Sequence, residues 1–373
     1  MVRDLDHVVL NISKMADTGA VLYSLNEMEN STMFKTNSTG GNPCGNILDT
    51  GIQNTIIVED FVVYGIMITF FTLVGVPLNI LTILGFSRVK KLSSHTFLLQ
   101  TLAGADTFFM LMVFVEYSLR TWYEVFGASR QWDVIFYHNF FVIKNFTGIA
   151  SDLAVWMVVL VSADRYIAVY HPTRAIKFCQ IKPAFIAVVT MFLYVMAFNF
   201  HNFFMFSIEV IGNETCHDHI IIHNTSGAYD MTYNMADSFI NVVLPMLLVT
   251  LMDTRMIIAL RRSKKRMGKR KDEASSTATV VLVVLATTFV LCEIPTAVEI
   301  FMRVFGETSY HYELSLSSTV FSVFNSFINF FIYILIGKTF RDALKAALFE
   351  FFCCGRKKKN AYYKTNTATT SMA

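Results

Sequence analysis

Asp164, Arg165 and Tyr166 close a long apolar run, and Pro172 follows six residues after Tyr166. An acid and an arginine side by side are costly against hydrocarbon unless they pair, so they mark a functional site. Further ionisable residues stand inside apolar stretches: Asp106, Lys144, Asp152, Glu293, Glu299 and Arg303. None completes a catalytic set. The histidines are scattered, and neither HExxH nor GxSxG occurs. The chemistry open to such residues is charge recognition and switching between paired states. No catalytic residue, metal ligand or cofactor is expected, and the chain is not read as an enzyme.

These residues need a membrane bundle to hold them. Hydrophobic residues make up 54% of the chain and charged residues 16%, whereas a water-soluble domain carries about 25% charged residues. A helix crosses a bilayer with about 20 apolar residues. Phe61 to Phe86 is an uncharged stretch of that kind, and Ala184 to Ile208 and Leu314 to Gly337 lack Lys, Arg, Asp and Glu. His95 to Tyr117 holds only the acids Asp106 and Glu116. Three more stretches carry ionisable groups, which inside a bundle face its interior. Asn139 to Tyr170 contains Lys144 and Asp152; Met235 to Leu260 contains Asp237, Asp253 and Arg255; Ser276 to Val304 contains Glu293, Glu299 and Arg303. The expected fold is an all-α membrane protein, a seven-transmembrane helix bundle with a short amphipathic eighth helix.

Basic residues collect on the cytoplasmic side of short loops. Arg88, Lys90 and Lys91, then Arg174, Lys177 and Lys182, then the run Arg261 to Lys271 mark three loops as cytosolic. Asn-X-Ser/Thr sequons at Asn11, Asn30, Asn37, Asn213 and Asn224 fall on the opposite side, where glycosylation occurs. Asn145 also begins a sequon but lies within span three, a reminder that the pattern is short. The two signals together place the multi-pass chain in the plasma membrane with its amino end extracellular and its carboxyl end cytoplasmic. Met1 to Val9 carries Asp4, Asp6 and His7 where the apolar part of a secretory signal would lie, so span one is expected to act as its own insertion signal.

The expected organisation is an extracellular glycosylated arm over 1–60, the bundle over 61–337, a membrane-surface helix over 338–354 and a cytoplasmic tail over 355–373. Phe340, Ala343, Leu344, Ala347, Leu348 and Phe351 repeat at the spacing of one helical face. Cys353 and Cys354 beside Arg356 to Lys359 suit palmitoylation, with the basic patch as a second membrane signal; unmodified thiols are the alternative. Cys44 and Cys216 fall on the oxidising side, where a disulfide between them would tie the arm to the second outer loop. A free or intermolecular thiol is the other outcome there, since spacing does not fix geometry. The tail threonines and Ser371 are possible kinase targets by composition alone.

The spans carry a further pattern: GVPLN ending at Asn79, LAGAD ending at Asp106, Asp164-Arg165-Tyr166, Pro245, CEIP with Cys292 and Pro295, and NSFINFFIY with Asn325, Ser326, Asn329 and Tyr333. In this order and spacing they resemble the rhodopsin-like (class A) G-protein-coupled receptors from about Phe61 to Cys354. INFFIYILIGKTFR is similar to the FMRFamide-type neuropeptide receptors and related orphan receptors. The resemblance implies an extracellular ligand, a heterotrimeric G protein, and in some contexts arrestin and receptor kinases. It gives Asp164, Arg165, Tyr166, Pro172, Asn329 and Tyr333 roles in coupling and activation. It groups Asn79, Asp106, Asn325, Ser326 and Asn329 as a polar network between helices. Pro245 and Pro295 kink their helices, and outward movement of span six about Pro295 would open a cleft for the partner.

Departures from the family pattern narrow what the resemblance implies. Ala154 replaces the serine that usually helps hold sodium, so sodium near Asp106 is not expected. Ser275 stands where an acid from span six often restrains the arginine. Phe140 replaces the usual helix-three cysteine, which favours Cys44 as the partner of Cys216. Glu293 stands for tryptophan, Phe330 for proline and Asp253 for tyrosine.

Thr147 replaces the aspartate of amine receptors, and span seven has no lysine for retinal. Lys144, Thr147, Asp152, Glu293, Glu299 and Arg303 are therefore the ligand candidates. The cations suit a carboxylate, and Glu293 or Glu299 an amine or guanidinium. A plainer reading is that Arg303 pairs with Glu299 four residues away on one helix and that Lys144 snorkels. An RFamide-like neuropeptide is the expected ligand, with a small aromatic amino acid or similar metabolite as the alternative. A transporter is a remote alternative, since no inverted repeat is visible. The basic run Arg261 to Lys271 suits anionic membrane lipid; nucleic acid is not an expected partner.

Overall fold

A computed structural model of the chain describes residues 58–89, 93–126, 130–200, 202–213, 216–224, 233, 235–266, 273–304 and 311–349. Asn11, Asn30, Asn37, Cys44, Cys353 and Cys354 lie outside the described residues, as do the arm before Val58 and the tail after Phe349.

Among the described residues, seven helices are long and apolar enough to cross a membrane: Val58–Ser87, Ser94–Tyr123, Asn139–Tyr170, Ile181–Phe204, Met235–Ala259, Thr279–Met302 and Tyr312–Ile336. They are called spans one to seven below. Much of their apolar surface points outward. Leu73 and Leu251 are each 65% exposed, the reverse of a water-soluble core and what lipid contact requires. Span three is the central element, packed against spans two, four, five and six. Its Met157, Val158 and Val161 join Leu102, Leu282, Phe289 and Tyr333 in the main core.

The helices are irregular at several points. Pro245 has no N–H, and its ring collides with the carbonyl four residues earlier in a regular helix. Span five widens into a π-helical turn at Phe239–Val243 directly before that proline. Span two has a similar turn at Phe114–Ser118, which carries Glu116. Span six breaks at Glu293, between Glu273–Cys292 and Ile294–Val304, just ahead of Pro295. Span one opens with a π-helical stretch, Phe61–Ile68, and tolerates Pro77 inside the α-helix Thr69–Ser87 that follows.

The fourth helix stops at Met205, short of the expected Ile208. Phe206–Asn213 instead pairs antiparallel with Cys216–Asn224, with Ile208 opposite Ile222 and Asn213 opposite Cys216. The alternation SIEVI in this stretch has the period of a strand rather than a helix. This hairpin is the one sheet among the described residues. It holds the backbone of Asn213, Cys216 and Asn224 at the end of the bundle remote from Arg165; the side chains of these three are outside the description.

After Gly337 the chain is helical again over 338–349. Phe340, Ala343 and Leu344 are buried, the inward half of the amphipathic pattern. Phe340 packs on Phe86 with ring centroids 4.8 Å apart and on Tyr333 at 5.6 Å. Gly85 makes the room: a Cβ there would lie 2.7 Å from the Phe340 ring.

Candidate functional site

Three polar clusters interrupt the apolar packing. At the first, span three ends in Asp164 and Arg165. Arg165 Nε and Nη2 donate to Asp164 Oδ2 at 3.2 and 3.0 Å. The other carboxylate oxygen accepts from Ser94 Oγ at 2.7 Å, so span two holds the acid that holds the arginine. Tyr166 stacks on Tyr170 at 5.2 Å, and Tyr170 donates its hydroxyl to the Arg255 carbonyl on span five at 2.8 Å. Pro172 starts the short helix Pro172–Phe178, where its missing N–H costs nothing. That helix buries no residue and leaves Ile176 76% exposed and Phe178 52% exposed. Cys179 follows it and donates its thiol to the Asp164 carbonyl at 3.4 Å. Burial and the neighbouring Asp164 charge push this thiol up to about 11, against a smaller opposing pull from Arg165.

The second cluster lies midway along the bundle. Asp106 on span two accepts from Ser326 Oγ at 2.9 Å and from Asn329 Nδ2 at 2.8 Å, both on span seven. Asn79 on span one joins by donating to the Ser326 carbonyl at 3.2 Å, while its Oδ1 has no protein partner. The expected network therefore comes together, with one difference. Asn325 faces a small cavity shared with Asn329, Ser162 and Phe289, between spans three, six and seven. Tyr333 is buried among Phe86 and Phe340, and its hydroxyl has no protein partner.

The third cluster fills the half of the bundle remote from Arg165. Asp152 on span three accepts from Asn199 Nδ2 of span four at 2.8 Å and from Asn241 Nδ2 of span five at 3.0 Å. The same Asn241 nitrogen donates to Asp237 Oδ1 at 2.7 Å, and Asn241 Oδ1 accepts from Trp156 Nε1 at 2.9 Å. Indole nitrogen only donates, so Trp156 fixes which end of the amide faces the two acids. Nearer spans one, two and seven, Glu299 is buried and accepts from Ser318 Oγ at 2.8 Å. Glu293 is buried at the span-six break, beside Thr296. Lys144 is half-buried.

Lys144 and Thr147 face Glu116 of span two. Glu116 is only 3% exposed and its Oε2 has no protein partner. Beside it Tyr117 and Tyr64 stack at 4.6 Å, within the field of both Glu116 and Glu299. The Arg303 side chain lies outside the described residues.

Sequence reasoning did not single out Glu116, Asp237, Asn199, Asn241 or Ser94 as site residues. Glu116 and Asp237 carried the same signal as Asp106, an acid in an apolar span, and the π-helical turns that aim Glu116 and Asn241 inward have no sequence signature of their own. Asparagine and serine gave no signal, being common on helix surfaces as well. Among the described residues no group of His, Cys, Asp and Glu has the arrangement of a metal centre.

The bundle, the paired arginine and the polar network define a multi-pass helical membrane protein whose charges meet between helices. The chain matches the family described as "7 transmembrane receptor (rhodopsin family)" over residues 78–333. It belongs to that family, whose members are receptors and not enzymes. It is similar to the FMRFamide receptor of Drosophila melanogaster, 24% identical over 82% of this chain and 57% of that protein. It is also similar to G-protein coupled receptor 68 of Homo sapiens, 25% identical over 78% of this chain and 79% of that protein. Galanin receptor 2b of Danio rerio is 26% identical over 80% of this chain and 76% of that protein. This chain therefore spans little more than half the length of the Drosophila receptor.

Proposed function

We propose that the chain is a plasma-membrane receptor, amino end outside, that binds an extracellular neuropeptide of RFamide type and activates a heterotrimeric G protein. The observation that carries the ligand class is Glu116, a buried carboxylate with an oxygen left unpaired, in the same half of the bundle as buried Glu293 and Glu299. A buried carboxylate oxygen without a donor is costly, and a guanidinium offers both charge and a matching fork of donors. The stacked Tyr64 and Tyr117 add aromatic faces for a cation or a phenyl ring. The similarity to an FMRFamide receptor points the same way. Lys144 beside Glu116 supports the second reading, a free aromatic amino acid whose carboxylate meets the lysine.

At the other end Arg165 is the coupling residue, held in reserve by Asp164, and the exposed Ile176 and Phe178 add an apolar contact for the G protein. Pro295 and the break at Glu293 let the inner half of span six pivot. This is a two-state equilibrium biased by ligand. Asp106 with Ser326 and Asn329 ties span two to span seven across the path between the two ends. A disulfide between Cys44 and Cys216, glycans on the outer sequons, palmitate on Cys353 and Cys354, and recruitment of arrestin and receptor kinases complete the proposal.

The test is expression in cultured cells with RFamide peptides and, separately, aromatic amino acids, reading a guanine-nucleotide-dependent signal. Arg165→Ala is expected to abolish the signal while surface expression persists. Ligand-driven flux that survives this substitution overturns the receptor reading in favour of transport.

A further inference from the structure

At the end of the bundle remote from Arg165, a side-chain bond joins the starts of spans one and seven. Tyr312 donates its hydroxyl to Asp60 Oδ1 at 2.7 Å. Asp60 is half-buried and its neighbours Val58 and Glu59 are exposed, so this bond stands at the mouth. Below it the π-helical stretch Phe61–Ile68 is tied to span two. Ser118 Oγ donates to the Tyr64 carbonyl at 2.7 Å, and Trp122 Nε1 donates to Thr69 Oγ1 at 3.0 Å. The tie to span seven is of another kind, a hydroxyl resting on a carboxylate. A cation competes for that carboxylate with a stronger, charge-assisted bond.

Inward of Asp60, four residues along span one, stands Tyr64. It lies within the field of three acids from three helices: Asp60 of span one, Glu116 of span two and Glu299 of span six. Exposure falls along this path, from the half-buried Asp60 to Glu299 at 8% and Glu116 at 3%. Lys144 and, more weakly, Arg120 act on Glu116, yet its buried Oε2 has no protein partner. That oxygen makes the inner end of the path a place for a ligand. The stacked rings of Tyr64 and Tyr117 stand between the outer and inner acids, and an aromatic face attracts a cation. Four residues are at most about 6 Å of helical rise, a step that an arginine side chain can span.

We propose that Asp60 is an outer subsite for a guanidinium, latched by Tyr312, through which the arginine of the peptide passes on its way to Glu116. The incoming cation takes the place of the Tyr312 hydroxyl on Asp60, and the outer ends of spans one and seven part. The guanidinium then moves inward past the tyrosine faces. A negative charge at the mouth raises the rate of encounter with a cation. Because the guanidinium comes to rest on Glu116, Asp60 lowers the barrier in both directions and adds little to the final affinity. The inference rests on the ligand reading above and adds to it a route and a gate.

The experiment uses full-length receptor in lipid nanodiscs and a fluorescent peptide ending in Arg-Phe-amide, with association and dissociation rates measured separately. Asp60→Asn keeps an oxygen for the Tyr312 hydroxyl and removes the charge. Association and dissociation are both expected to slow about fivefold at low salt, with affinity changed less than about threefold. Tyr312→Phe removes the latch and keeps the charge, and both rates are expected to rise. The same peptide with citrulline in place of arginine is expected to associate equally with wild type and Asp60→Asn. Faster dissociation of the arginine peptide from Asp60→Asn, with association unchanged, makes Asp60 a contact of the bound state and overturns the proposal. Equal changes for the arginine and citrulline peptides, or a lower unfolding temperature with unchanged rates, show a structural role and overturn it as well. A wild-type receptor that binds no such peptide removes the ligand reading and this inference together. Wild-type binding whose rates neither variant alters removes only this inference.

Discussion

Asn241 on span five donates to Asp152 on span three across 3.0 Å, and this bond sits at the junction of three helices. The same nitrogen serves Asp237, and Trp156 holds the amide from behind. One amide therefore joins two acids, of which Asp152 also accepts from Asn199, and Asn241 lies in the π-helical turn ahead of Pro245.

Replacing Asn241 by alanine is expected to destabilise the receptor by about 3 kcal/mol, the cost of leaving buried partners unsatisfied. Trp156→Phe, which removes only the donor to Asn241, is expected to cost less. Thermal unfolding in detergent checks both; equal unfolding temperatures for Asn241→Ala and wild type would count against the junction.

Glu116→Gln keeps the shape of the side chain and removes its charge. Potency of an RFamide peptide is expected to fall about tenfold or more, the loss of a charge-assisted contact. The same peptide with citrulline in place of arginine is expected to be weak on wild type and no weaker on the variant. An equal loss for both peptides would place the arginine elsewhere.

Ser94→Ala removes the hydroxyl that holds Asp164 from span two. The grip on Arg165 loosens, and ligand-independent nucleotide exchange is expected to rise a fewfold, in line with about 1 kcal/mol for one hydrogen bond. Exchange that falls with unchanged surface expression argues that Ser94 serves the open state instead.

Cys179 has a thiol pushed up to about 11 by burial and by Asp164. A raised value lowers the thiolate fraction, and thiolate is the reactive species. Alkylation of Cys179 by maleimide at neutral pH is therefore expected to be slow and to rise about tenfold per pH unit up to that value. A rate that levels off near pH 9 would show an ordinary thiol.

Gly85→Val places a side chain where Phe340 now lies, with its Cβ 2.7 Å from that ring. The helix over 338–349 is expected to undock, exposing its backbone to limited proteolysis. Phe340→Ala should act in the same direction, at a cost of about 3–5 kcal/mol for a buried phenylalanine.

Much of this molecule was legible before folding. The apolar runs, the charge of the loops and the proline positions determined the number of spans and where two of them bend. Hydrocarbon leaves a chain few ways to satisfy its backbone, so composition alone excluded most other folds. Asp164 with Arg165, and Asp106 with Ser326 and Asn329, were also readable, because a charge in an apolar run must find a partner. What the sequence left open was which partner. Glu299 meets Ser318 of span seven, nineteen residues away in sequence, and Asp152 meets Asn199 of span four and Asn241 of span five. Those pairings depend on how each helix is rotated about its axis, which π-helical turns and side-chain packing set. Period and hydropathy carry no record of that rotation, so only the tertiary structure decided it.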